Sequence, residues 1–145
     1  MELLIEKLPY GFRPDVVDFD KEILTVLGEA GIRKLIADHY DRLIESPIKH
    51  LFPSKGMGLE LAKKHSADFF IQRLGGPDYF NKTRGKPMLA TRHGHFKITP
   101  RGRIEWLKIY KELLPQLDLP EHLLKNYWDY LHDFSNWMVN TPEEE

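Results

Sequence analysis

The run LATRHGHFKI at 89–98 places two histidines, His93 and His95, one residue apart, beside Arg92 and Phe96. Side chains at that spacing share a face on a strand and diverge on a helix. As a metal pair they would need further ligands, yet no carboxylate stands within five residues of His93 and the chain has no cysteine. Singly, one neutral imidazole is enough for an iron whose other four nitrogens come from a porphyrin, provided its second ring nitrogen finds an acceptor. Exposed histidines in a loop are the third reading.

A flat macrocycle would also need apolar walls and cations for its acidic groups. Phe52, Phe69, Phe80, Met88, Leu89 and Phe96 are candidate walls, and Arg92 and His65 candidate partners for a carboxylate. Two polar aromatics lie on apolar helical faces. Tyr40 follows His39 in the stripe Ile32, Leu35, Ile36, His39, Tyr40, Leu43, Ile44, and Trp106 sits in a later helix. A buried phenol or indole needs a hydrogen-bond partner. On pattern alone both could be core aromatics with satisfied tips.

The elements that must position these residues are all helical. Residues 1–20, with Pro9, Gly11 and Pro14, form an arm. A helix from about Lys21 to Ser46 carries Gly28 in LGEAG, which predicts two short helices meeting there. Pro47 ends it and HLFPSKGMG links to a helix over about 59–74. That helix presents Ala62, Ser66, Phe69, Phe70 and Arg73 or Leu74 inward. Gly75-Gly76-Pro77 stops it. Residues 75–92 then predict a long irregular loop whose Tyr79, Phe80, Met88 and Leu89 argue for order, and so for packing on a non-protein surface. Thr99 and Pro100 mark the N-terminus of a helix to about Leu114, apolar on two faces through Ile104, Leu107 and Leu114, and Trp106, Ile109 and Leu113. A last helix runs from Pro120 to about Val139, and TPEEE forms a tail. No strand pattern or repeat appears, so the class is all-α.

Composition agrees with a single domain. The 145 residues suffice to bury roughly 70% of the unfolded surface. Zero cysteines exclude disulfides and thiolate chemistry, and a formal net charge of −1 gives no field for nucleic acid. MELLIEKLPYGF has acidic residues in its short apolar run and is not a secretory signal, and no apolar stretch is long enough to span a membrane. The expectation is a soluble, cytoplasmic protein.

The segment LGGPDYFNKTRGKPMLATRHGHFKIT resembles the signature of group II truncated haemoglobins. It carries Gly75-Gly76-Pro77, Phe80, the turn Gly85-Lys86-Pro87-Met88-Leu89, Arg92-His93 and Phe96-Lys97-Ile98, with Trp106 following in RIEWL. Upstream, HYDRLIESPIKHLFP is similar to the family's tyrosine helix and phenylalanine turn, and the likeness covers about 22–142. The resemblance implies a two-over-two helical sandwich around haem b. It divides the chain into an arm at 1–20, a globin domain at 21–142 and a tail at 143–145. It makes His93 the proximal iron ligand and gives His95 no role. Tyr40 and Trp106 become distal donors, with Ser66, Ala62 and His39 beside them. Phe52, His65, Phe69, Phe80, Met88, Leu89, Arg92, Phe96 and Ile98 become the haem pocket. His39 stands where the family usually has phenylalanine or tyrosine, and either His39 or His65 is a candidate iron ligand in the unliganded form.

Two donors aimed at a gas that has drawn electron density from iron would slow its release. The implied function is tight O2 binding, with NO, CO and sulfide as further ligands. The implied uses are oxygen transport or storage, or detoxification of NO or peroxide with electrons from an external reductase. An NO dioxygenase or a peroxidase-like enzyme would fit that last use. The assembly would be a monomer or homodimer. The alternatives are a haem-based sensor and a helical interaction module without haem.

Overall fold

The computed structural model describes residues 2–85, 88 and 96–143. Every regular element among them is helical: α1 (Glu22–Leu43), α2 (Gly56–Arg73), α3 (Tyr79–Arg84), α4 (Pro100–Leu113) and α5 (Glu121–Met138), with 3-10 turns at Lys49–Leu51 and Leu114–Gln116. α1 packs on α2, α4 packs on α5, and α1 also crosses onto α4. Two helical pairs therefore face each other, which is the all-α sandwich that the sequence implied.

Gly28 breaks α1. Its φ of 69° and ψ of 168° lie in a region that essentially only glycine enters, so the chain turns there without ending the helical run. Beyond the kink, Ile32, Leu35, Ile36, His39 and Leu43 are buried at helical spacing, as the stripe predicted. α2 begins at Gly56, ahead of the expected Leu59. At its end Leu74 is fully buried, while Arg73 reaches out to Asp18 at 3.1 Å. Gly76 then turns back so closely that a Cβ would stand 2.7 Å from the Ile71 side chain, which leaves room for nothing larger.

Residues 79–84 are helical where an irregular loop was expected. The segment lies between Pro77 and the positive φ of Gly85, too short for any periodicity to register. Phe80 on α3 is buried with its ring 5.9 Å from that of Phe69, so α3 closes the lower end of α2. α4 starts as predicted: the Thr99 hydroxyl accepts from the Gly102 N–H at 3.0 Å, and Pro100 follows the cap.

The arm is bound along α5 by a ladder. Trp128, His132 and Asn136 recur every four residues and so share one side of the helix, and Asn140 lies just past its end, beyond the extended Val139. Trp128 Nε1 donates to the Leu4 carbonyl at 3.3 Å, and the Glu6 N–H donates to His132 Nε2 at 2.9 Å. Asn136 Nδ2 donates to the Phe12 carbonyl at 2.6 Å, and the Tyr10 hydroxyl to the Asn140 carbonyl at 3.2 Å. The chain then turns and returns: Trp137 Nε1 donates to the Pro14 carbonyl at 2.7 Å, and the Asp20 N–H to Asn126 Oδ1 at 2.7 Å. Phe19 stacks on Tyr130 with ring centroids 3.8 Å apart. The arm is thus part of the domain core, with Leu3 and Phe19 both buried in it.

Candidate functional site

A cavity of about 570 Å³ lies between α1, α2, α4 and α5. That is within the range of cofactor and ligand sites. It gathers residues that the sequence places far apart. His39 and Tyr40 come from α1, Phe52 from the turn after it, and Ala62, His65, Ser66 and Phe69 from α2. Phe80 comes from α3, Phe96 and Ile98 from the approach to α4, and Trp106 from α4 itself.

Helical spacing explains the grouping. Ala62, Ser66 and Phe69 are separated by four and three residues, so they line one side of α2. Tyr40 and Phe52 meet edge to face, at 5.7 Å and 86°, where the chain leaves α1. Phe69 meets Phe80 at 75° and stacks on Phe134 at 6.2 Å. The walls are therefore aromatic and interlocked, and they suit a flat apolar guest.

Polar groups on the walls are few. The Tyr40 hydroxyl is raised above the ordinary phenol pKa, mainly by burial and against a hydrogen bond with Ser66. It keeps its proton at neutral pH and remains a donor. The Trp106 indole N–H is a donor at any pH. His39 is 2% exposed and lies against α4: Nε2 is 3.1 Å from the Trp106 carbonyl oxygen, so that nitrogen carries the proton. Its ring stacks on Tyr110 at 3.8 Å and meets Trp106 edge-on at 5.1 Å. Burial, opposed by the bond to Trp106, pushes its pKa down to about 3, so the ring is neutral.

Met88 does not join this group. Its side chain is 60% exposed, its φ is +41°, and it is absent from the cavity lining. Leu89, Arg92, His93 and His95 lie outside the described residues.

Sequence reasoning missed three lining residues that matter. Tyr110 is fully buried under His39, Phe134 stacks on Phe69, and Arg103 borders the cavity with almost no exposure. Arg103 donates from Nε to Ser135 Oγ at 3.0 Å, from Nη1 to the Glu6 carbonyl at 2.9 Å and from Nη2 to the His132 carbonyl at 2.6 Å. It ties the arm to both helices of the second pair. Arg103, Trp106, Tyr110 and Leu113 recur at helical spacing, and counting the arginine stem and the phenol as apolar would have exposed that stripe.

Comparison with known proteins adds to the geometry. The family model described as bacterial-like globin matches residues 25–140. Hell's gate globin IV, in a phosphate-bound crystal structure, is 33% identical with a TM-score of 0.87, over 97% of this chain and 88% of that one. The group II truncated haemoglobin of Bacillus anthracis is 28% identical with a TM-score of 0.76, over 83% and 92%. A truncated oxygen-avid haemoglobin from Bacillus subtilis is 29% identical with a TM-score of 0.74, over 81% and 98%. The two-on-two haemoglobin-3 of Arabidopsis thaliana is 37% identical over 34% of this chain, a stretch that spans only 28% of that relative.

Proposed function

The chain belongs to the bacterial-like globin family, which binds haem, and we propose that its cavity holds haem b and retains oxygen with slow release. The observation that carries this reading is that two donors from different helices, the Tyr40 hydroxyl of α1 and the Trp106 indole of α4, line one largely apolar cavity. The residues present fit the group. Phenylalanines at 52, 69, 80, 96 and 134 line the cavity, Phe69 in ring contact with both Phe80 and Phe134, and offer faces for a flat ring, and the described walls carry few polar atoms to desolvate.

Haem, when bound, would supply an iron able to take a neutral imidazole and a small ligand such as O2, NO, CO or, in the ferric state, sulfide. His93 is the imidazole in this reading, on the strength of the Arg92-His93 motif. Arg92 and His65 are the partners for its carboxylates. Tyr40 and Trp106 donate to the guest gas. Each hydrogen bond to a group bearing charge is worth about 1.5–3 kcal/mol. Two acting independently slow release by roughly two to four orders of magnitude. Ser66 engages the Tyr40 hydroxyl and keeps it aimed, and Ala62 leaves the α2 side uncrowded.

Slow release suits redox use better than delivery. Oxidation of NO to nitrate or reduction of peroxide fits, with electrons from a separate reductase. The oxygen-avid relative from Bacillus subtilis supports the same direction. The test is the oxygen dissociation rate of the haem-loaded protein beside Tyr40→Phe and Trp106→Phe. Each substitution is expected to speed release by about tenfold or more. Unchanged rates in both would overturn the donor assignment.

A further inference from the structure

We propose that His39 is a positioning residue that sets the spacing between Tyr40 and Trp106, acting through the Trp106 backbone carbonyl and not through the bound gas or iron. The proposal rests on the reading of Tyr40 and Trp106 as the donors that hold oxygen.

The geometry behind it is local and specific. His39 immediately precedes Tyr40 on α1, and its Nε2–H donates to the carbonyl of Trp106 on α4 at 3.1 Å. A single hydrogen bond therefore joins the sequence neighbour of one donor to the backbone of the other. The imidazole is also wedged in place. Tyr110 stacks beneath it at 3.8 Å and 21°, and the Trp106 indole meets its edge at 84°. Trp106 and Tyr110 meet in turn at 4.8 Å and 67°. The indole is thus held on one side by a three-ring cluster whose other members cannot turn freely while buried.

The ring's protonation state fits this task. The Trp106 carbonyl only accepts, so Nε2 must carry the proton, and a ring kept neutral by burial holds that tautomer throughout the physiological range. A phenylalanine at this position would fill the same space and keep the stack, but would leave the two helices without the bond across them.

The experiment uses the full-length haem-loaded protein. Oxygen dissociation is measured for wild type, His39→Phe, His39→Gln and Trp106→Phe, and for each His39 variant combined with Trp106→Phe. Ultraviolet resonance Raman difference spectra between each protein and its Trp106→Phe counterpart report the indole's environment directly. His39→Phe is expected to speed release about fivefold, the worth of one ordinary hydrogen bond, and to broaden the indole bands. His39→Gln, whose amide can still reach the carbonyl, is expected to restore both. In the Trp106→Phe background His39→Phe is expected to add nothing. Equal acceleration in both backgrounds, or unchanged release with unchanged indole bands, would overturn the proposal. If Trp106→Phe itself leaves release unaltered, the donor reading fails, and the indole bands alone decide whether His39 positions Trp106.

Discussion

Trp128 on α5 donates its indole N–H to the carbonyl of Leu4, joining positions 124 residues apart in the chain. That bond is the first rung of the ladder that makes the arm a structural part of the domain. Through Arg103, which reaches the Glu6 carbonyl, the arm is continuous with the cavity wall.

The arm should therefore contribute to global stability. Trp128→Phe keeps an aromatic ring but removes one donor and part of the buried indole, and is expected to cost about 1–3 kcal/mol in urea unfolding. Removing residues 2–12 strips Leu3 from the core and breaks the ladder, and also frees an Arg103 donor. It is expected to cost about 3 kcal/mol or more. An arm that can be removed without lowering the unfolding midpoint would contradict this account of the fold.

His39 gives stability a pH dependence of known sign. Its pKa is about 3 in the folded protein against 6.5 ordinarily. Between those values the unfolded chain binds a proton that the folded chain refuses. The contribution is fully present above pH 6.5 and declines as the pH falls toward 3. His39→Gln should flatten the stability profile across that window relative to wild type, as followed by thermal unfolding at successive pH values.

Asp68 works over a lower window. Its carboxylate is 1% exposed and lies 2.9 Å from both Arg33 and Lys64, so it links α1 to α2. Burial pushes its pKa up, but the hydrogen bonds and charges of Lys64 and Arg33 together pull it below the ordinary 3.8. Its stabilisation is full above that ordinary value and is lost as the pH falls through the folded one. Both partners are well exposed, so Asp68→Asn should cost only about 2 kcal/mol at neutral pH. In acid, below the ordinary carboxylate range, the gap to wild type should narrow.

Gly28 tests the kink. Nothing lies within 4 Å of the place a Cβ would occupy, so sterics against neighbours are not the obstacle. The obstacle is the backbone, and Gly28→Ala is expected to cost about 1–3 kcal/mol while leaving the cavity intact. A neutral or stabilising alanine in thermal unfolding would mean that the two halves of α1 can straighten.

The helices, and the placing of Tyr40 and Trp106 on apolar helical faces, were legible because each rests on a local signal. The stripe from Ile32 to Ile44 has helical period, Thr99-Pro100 is a cap, and Tyr40 and Trp106 are polar groups on apolar faces. What was not legible needed tertiary information. Arg103 reads as a solvated charge in the first turn of α4 until the arm covers it. The series Trp128, His132, Asn136 looks like part of an amphipathic helix, since nothing local says that its polar tips meet the backbone of residues 4–12. His39 was placed in the right stripe, but its role depends on α4 crossing α1 at Trp106. Residues 79–84 form too brief a helix for periodicity to show.

The central claim is that this cavity holds a haem through His93. Haem titrated into the haem-free full-length protein, followed by its strong near-ultraviolet absorption band, tests that claim most directly when wild type and His93→Gly are run side by side. The account predicts saturation at one haem per chain in wild type, with a shifted and weakened band in the variant that added imidazole restores. Failure of wild type to take up haem, or a variant spectrum identical to wild type, would contradict it.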